Sequence, residues 1–175
     1  LSISQHKIYE IFLKEWKNRK DHLPLVVIGA RQIGKTTLVR EFARNNYEYF
    51  AEINFITDSK ASDIFQQTFD AETIITNLTA YLRQPLEAGK TLIFFDEIQK
   101  CPQVRTAIKF LVEDGRFDYV ESGSLLGVNF QDVPSFPVGF EEIHEMYPMD
   151  FEEFAAANGV QQETFSYLYD CYCNR

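Results

Sequence analysis

The chain has 175 residues, and 45% of them are hydrophobic, enough to fill the core of one domain of 20.4 kDa. Seventeen basic residues against 26 acidic ones give a net charge of −9 and a pI near 4.8, which disfavours indiscriminate binding to nucleic acid or to an anionic membrane while leaving local basic patches open. No apolar run is long enough to span a bilayer and no signal-peptide pattern opens the chain. The three cysteines, Cys101, Cys171 and Cys173, are too scattered for a disulfide framework and lack the spacing of a zinc site, so they read as reduced thiols of a cytoplasmic protein.

Residues Ser4 to Arg19 place Ile8, Ile11 and Phe12, then Glu15 and Trp16, at helical spacing, as in an amphipathic helix packed on a sheet edge. Trp16 near an adenine ring is one reading, and a buried core aromatic is the favoured one. After the linker Lys20 to Pro24 comes an apolar strand pattern, Leu25 to Ile28. It runs straight into Gly29-Ala30-Arg31-Gln32-Ile33-Gly34-Lys35-Thr36-Thr37, which contains a complete G-x-x-x-x-G-K-[ST] element. A helical pattern follows at once, with Leu38, Val39, Phe42 and Ala43 inward and an end at Asn45-Asn46.

Strand, glycine loop and helix in this order form a phosphate-binding loop. Gly29 and Gly34 allow backbone angles and close approach that a side chain would block. Backbone N–H groups then line a concavity for an anion, and the helix N-terminus adds its partial positive charge. Lys35 is placed to reach terminal phosphates, and the Thr36 hydroxyl to bind magnesium. For Arg31 and Gln32 two readings stand, contact with phosphate or a solvated loop, and the second is favoured.

Tyr47 to Ile56 reads as a second strand and Thr57 to Lys60 as a loop. Ala61 to Gln84 reads as two helical segments broken near Phe69-Asp70, with a turn at Pro85 and Gly89. Thr91 to Gln99, T-L-I-F-F-D-E-I-Q, is an apolar run of the kind buried on both faces of a parallel sheet, ending in two acids. Asp96 at its tip is the candidate metal holder and Glu97 the candidate group that polarises an attacking water.

Pro102 to Glu113 forms the next helix, stopped by Gly115. Phe117 to Glu121 has strand character and leads into Ser122-Gly123-Ser124. There, hydroxyls sensing a terminal phosphate (Ser124 is the catalytic candidate) compete evenly with a plain Ser-Gly turn. Asn129 to Pro137 reads as a loop and Glu141 to Tyr147 as a fifth strand. Asp150 with Glu153 forms a capping box for a helix carrying Phe151, Phe154 and Ala155, which Gly159 closes. Glu163 to Tyr172 follows as a helix whose Phe165, Leu168, Tyr169 and Tyr172 suit packing against another domain. Leu1 in place of Met and this apolar C-terminal pattern lead us to expect the N-terminal part of a longer protein.

The set G-A-R-Q-I-G-K-T-T, L-I-F-F-D-E-I-Q, E-S-G-S-L-L-G, F-P-V-G-F-E-E and P-M-D-F-E-E-F, in this order, resembles a large family of prokaryotic AAA-type ATPases related to the archaeal-type ATPases. In that family an N-terminal ATPase core precedes a C-terminal domain of uncharacterised function. The resemblance implies an α/β fold, a three-layer P-loop core on a mostly parallel five-stranded sheet, with the Ser-Gly-Ser strand between the strands carrying the loop and the acids. It implies ATP and Mg2+ as cofactors, with 29 to 37 as the nucleotide loop, Thr36 and Asp96 at the metal, and Lys35, Glu97 and Ser124 as the catalytic group.

The domain division it implies is an ATPase domain over 1–159 and a helical lead-in to the C-terminal domain over 160–175. Partners are then ATP or ADP, that domain and further copies of the chain, with nucleic acid left open and no membrane. One departure stands out, since Pro137-Val138-Gly139-Phe140 occupies the place of P-V-G-R. Arg105 or Arg116 of a neighbouring subunit is the substitute to consider. Two other functions compete with ATP hydrolysis. One is a nucleotide-gated binding module, favoured by the missing arginine. The other is a small-molecule kinase, ranked last because Asp96-Glu97 suits water activation and no Arg-rich lid is evident. By the same resemblance, the absence of N-K-x-D tilts the expected base towards adenine.

Overall fold

The computed structural model describes residues 5–66, 69–124 and 139–173. Five parallel strands form one sheet in the order β2-β3-β4-β1-β5, with β1 Leu25–Gly29, β2 Tyr49–Asn54, β3 Thr91–Asp96, β4 Asp118–Ser124 and β5 Glu142–Met146. The helices are α1 Gln5–Asn18, α2 Lys35–Asn46, the short α3 Asp63–Gln66, α4 Ala71–Leu82, α5 Pro102–Asp114, α6 Phe151–Ala157 and α7 Gln162–Cys173. None is long and apolar enough to cross a membrane among the described residues.

Strand side chains alternate between two faces, and both faces are apolar here because both are covered. Leu25, Val27, Leu92, Phe94 and Val120 join Leu13 and Trp16 of α1 and Leu38, Val39 and Phe42 of α2 in one core. Val26, Ile28, Ile53, Ile93, Phe95 and Tyr119 join α3, α4 and α5 in the other. The result is a three-layer α/β sandwich whose inner strands β1 and β3 are buried at every position.

The structure departs from the sequence expectations in two places. On α1 the inward residues are Tyr9, Leu13 and Trp16, whereas Ile8 and Ile11 are exposed. Phe12 stacks on His144 of the edge strand β5, so the helix does reach the sheet edge, and Trp16 is a core residue whose Nε1 donates to Leu23 O at 2.7 Å. The polar stretch at 57–60 tightens into a 3-10 turn, Ser59–Ser62, that runs into α3. The break at Phe69-Asp70 holds, with Asp70 capping α4 through Thr73 N at 2.9 Å.

Ser122-Gly123-Ser124 is strand, as the resemblance implies, and not the turn that its local pattern allowed equally. Residues 122–124 pair with Val27, Ile28 and Gly29 of β1, and this pairing with a central strand overrides the local turn preference. The loop read at 129–137, Leu125-Leu126-Gly127 and residues 136–138 lie outside the described residues. The capping box of α6 forms as expected, with Glu153 N donating to Asp150 Oδ1 at 2.8 Å and Asp150 N to Glu153 Oε2 at 3.0 Å. Phe151 and Phe154 nevertheless face outward, and Ala155 faces in.

Candidate functional site

All five strands are parallel, so their C-terminal tips share one edge, and the loop after β1 and the acids after β3 meet there. Gly29 ends β1 against the backbone of β5, where an added Cβ would lie 2.3 Å from Met146 O and 2.7 Å from Ile33 Cδ1. Only glycine fits. The loop then turns through Gln32 (φ 64°) and Gly34 (φ 96°) into the first residue of α2, Lys35. Ala30, Arg31 and Gln32 are exposed, Ile33, Gly34 and Thr36 are half-buried, and Thr37 is exposed.

Lys35 is buried, and its Nζ donates to Gly29 O at 3.1 Å and Ala30 O at 2.6 Å, curling the ammonium over the loop. Burial pushes its pKa down, opposed by the charges of Glu97 and Asp96 and reinforced by Arg31. An anion in the loop would restore a counter-charge.

Asp96 is the hub. Its Oδ2 accepts from Thr36 Oγ1 at 3.0 Å and from Asn54 Nδ2 at 2.9 Å, and its Oδ1 accepts from Ser122 Oγ and from Glu97 N at 3.1 Å. The register causes this: Asn54 lies opposite Asp96, and the pairing of Phe95 with Glu121 sets Ser122 on the other side, so three strand tips present polar groups on one face. Asn54 is itself fixed, its Oδ1 accepting from Ile56 N at 3.0 Å and Thr57 N at 3.2 Å. Glu97 follows in a left-handed conformation (φ 59°, ψ 45°), and its Oε2 accepts from Gln99 Nε2.

The structure therefore brings together Lys35, Thr36, Asp96 and Glu97. Ser124 is buried beside Gly29 in the register, and the hydroxyl that touches the acid is that of Ser122. The sequence reading missed Asn54 and Gln99. An asparagine at the tip of an apolar strand is a faint signal, legible only once the register is known.

Arg105, considered above as an arginine offered to a neighbouring subunit, is buried in an ion pair with Glu141, beside the buried Glu121 of β4. Arg116 is engaged by Asp114 and Glu72. Burial raises the pKa of Glu121, and Glu141 adds to that while Arg105 opposes it.

Hydroxyl and carboxylate oxygens facing each other across 3.0 Å are a hard-oxygen donor set suited to magnesium, and a glycine loop at a helix N-terminus suits a polyphosphate. This loop after β1, the acid at the tip of β3 and the intervening strand β4 define a P-loop nucleotide-binding domain of the AAA type. A family model described as an AAA domain matches residues 21–155, and the chain belongs to that family. The fold is also that of the Aeropyrum pernix ORC1 protein solved in complex with DNA, with a TM-score of 0.52 and 16% identity over 83% of this chain and 45% of that one. A RuvB variant of Thermotoga maritima aligns with a TM-score of 0.46 and 18% identity over 81% of this chain and 43% of that one. The chain thus spans less than half the length of either. No curated protein sequence matches it.

Proposed function

We propose that the chain is a magnesium-dependent ATPase that couples hydrolysis to conformational change. The observation that carries this is the Thr36–Asp96 hydrogen bond of 3.0 Å, which joins the phosphate loop to the acid strand across 60 positions of sequence. In this reading residues 29 to 37 hold the phosphates, Lys35 offsets charge developing on the terminal phosphoryl group, and Thr36 and Asp96 hold Mg2+. The ion, when bound, screens the phosphate charge. Glu97 orients a water for in-line attack and takes its proton as the bond to ADP breaks. Ser124, at the end of β4 beside Gly29, is assigned contact with the terminal phosphate.

The test is ATP turnover alongside ATP binding. Glu97→Gln is expected to bind ATP as wild type does and to lose turnover by about 10²-fold or more. Turnover at the wild-type rate by this variant would remove Glu97 from the role.

A second reading is a nucleotide-gated binding module with little hydrolysis. Phe140 in place of arginine favours it, as does the engagement of Arg105 and Arg116 in ion pairs. Association with a partner that changes on ATP binding without turnover would select it. With either reading we assign residues 1–159 to the ATPase domain of a cytoplasmic, prokaryotic protein and 160–175 to a lead-in towards a C-terminal domain. Homo-oligomers and nucleic acid are partners to test.

A further inference from the structure

We infer that Gln99 is a positioning residue for Glu97, an assignment that rests on the ATPase reading. Gln99 lies in the 3-10 turn Ile98–Lys100, pinned by the fully buried Ile98 and by the bonds Lys100 N to Glu97 O and Cys101 N to Ile98 O, both 2.9 Å. From this fixed point its Nε2 donates to Glu97 Oε2. The opposite amide orientation would set a carbonyl oxygen against the carboxylate, so charge alone decides which end faces Glu97.

The other end of the amide is the second observation. Gln99 Oε1 is buried and has no hydrogen-bond partner among the described residues. A buried acceptor without a donor is destabilising, so this side chain is not placed to satisfy itself. Glu97 carries a local cost of its own, a left-handed backbone in a residue with a Cβ. Two unfavourable local features therefore converge on holding one carboxylate in one direction. Asn54 and Ser122 serve Asp96, the metal-side acid, and Gln99 serves the water-side acid. A flexible glutamate on an exposed loop would sample several rotamers, whereas a charge-assisted hydrogen bond from a rigid turn selects one.

The experiment compares the 175-residue wild-type chain with Gln99→Met, which keeps the volume and removes the donor, and with Gln99→Glu, which sets a second carboxylate against the first. The probes are ADP with Mg2+, and ADP with Mg2+ and aluminium fluoride, a mimic of the transferring phosphoryl group. Both variants are expected to bind the fluoride complex about tenfold more weakly and ADP as wild type does, with kcat reduced and KM unchanged. A merely structural role would weaken both complexes alike and lower the melting temperature, and that result overturns the assignment. Wild-type affinity for the fluoride complex and wild-type kcat in Gln99→Met overturn it as well. If the wild-type chain itself gains no affinity from aluminium fluoride and turns over no ATP, the hydrolytic reading falls, and the role of Gln99 falls with it.

Discussion

Both oxygens of Asp96 are engaged by neighbours on three different elements, so the carboxylate has little freedom to rotate. In the proposed reading, such pre-positioning suits a cation that demands strict geometry. Gly29 shows the same economy in backbone form. Its contact is with a carbonyl of β5, which is held in the sheet and cannot step aside. Gly29→Ala is expected to cost at least ~1–3 kcal/mol of stability by overpacking and to abolish nucleotide binding, checked by chemical denaturation and by fluorescent-nucleotide titration.

At the scale of elements, Arg105 of α5, Glu121 of β4 and Glu141 ahead of β5 tie the helix to two strands through a buried cluster. Arg105 pairs with Glu141 and its charge also acts on Glu121, whose two buried oxygens have no hydrogen-bond partner among the described residues. Burial raises the pKa of both acids. An acid whose folded pKa is raised binds more protons in the folded state, so its contribution favours folding at low pH and is lost as pH rises from the unfolded value through the folded one. Glu121→Gln, a mimic of the protonated acid, is expected to raise the melting temperature at pH 8, with a gain that shrinks towards pH 4. A gain of equal size at both values would contradict the charge argument. Arg105→Met leaves two buried acids without a cation and is expected to cost about 3–5 kcal/mol in denaturant titration. At α6, Asp150→Ala removes the helix cap and is expected to cost ~1 kcal/mol, read in the same way.

Legibility divides along the range of the interaction. The glycine loop, the buried β3 run and the Asp150–Glu153 box could be read from sequence because each is settled within a few neighbouring residues. The inward face of α1 could not, because Ile8 and Tyr9 are both apolar enough to face in, and it is Tyr9 that packs against His144 of β5. The Ser-Gly-Ser stretch became strand through pairing with β1, and Asn54 joined the site through pairing with β3, both long-range effects. Gln99 was visible in the D-E-I-Q string, but its partner was not.

For the molecule as a whole, the parallel order β2-β3-β4-β1-β5 brings the strand tips at residues 29 and 96 to one edge of the sheet, on either side of β4. The two cores hold those tips in place from either side of the sheet. Phe95→Ala, at the centre of one core, is expected to cost about 3–5 kcal/mol and to weaken nucleotide binding without touching a binding residue. Calorimetric titration of ATP into wild type and Asp96→Asn, each with and without Mg2+, bears most directly on the joint grip of loop and acid. The expected result is equal affinity without the metal and about tenfold less gain from Mg2+ in the variant. An Asp96→Asn chain that gains as much from Mg2+ as wild type would show that the acid strand takes no part in holding the ion.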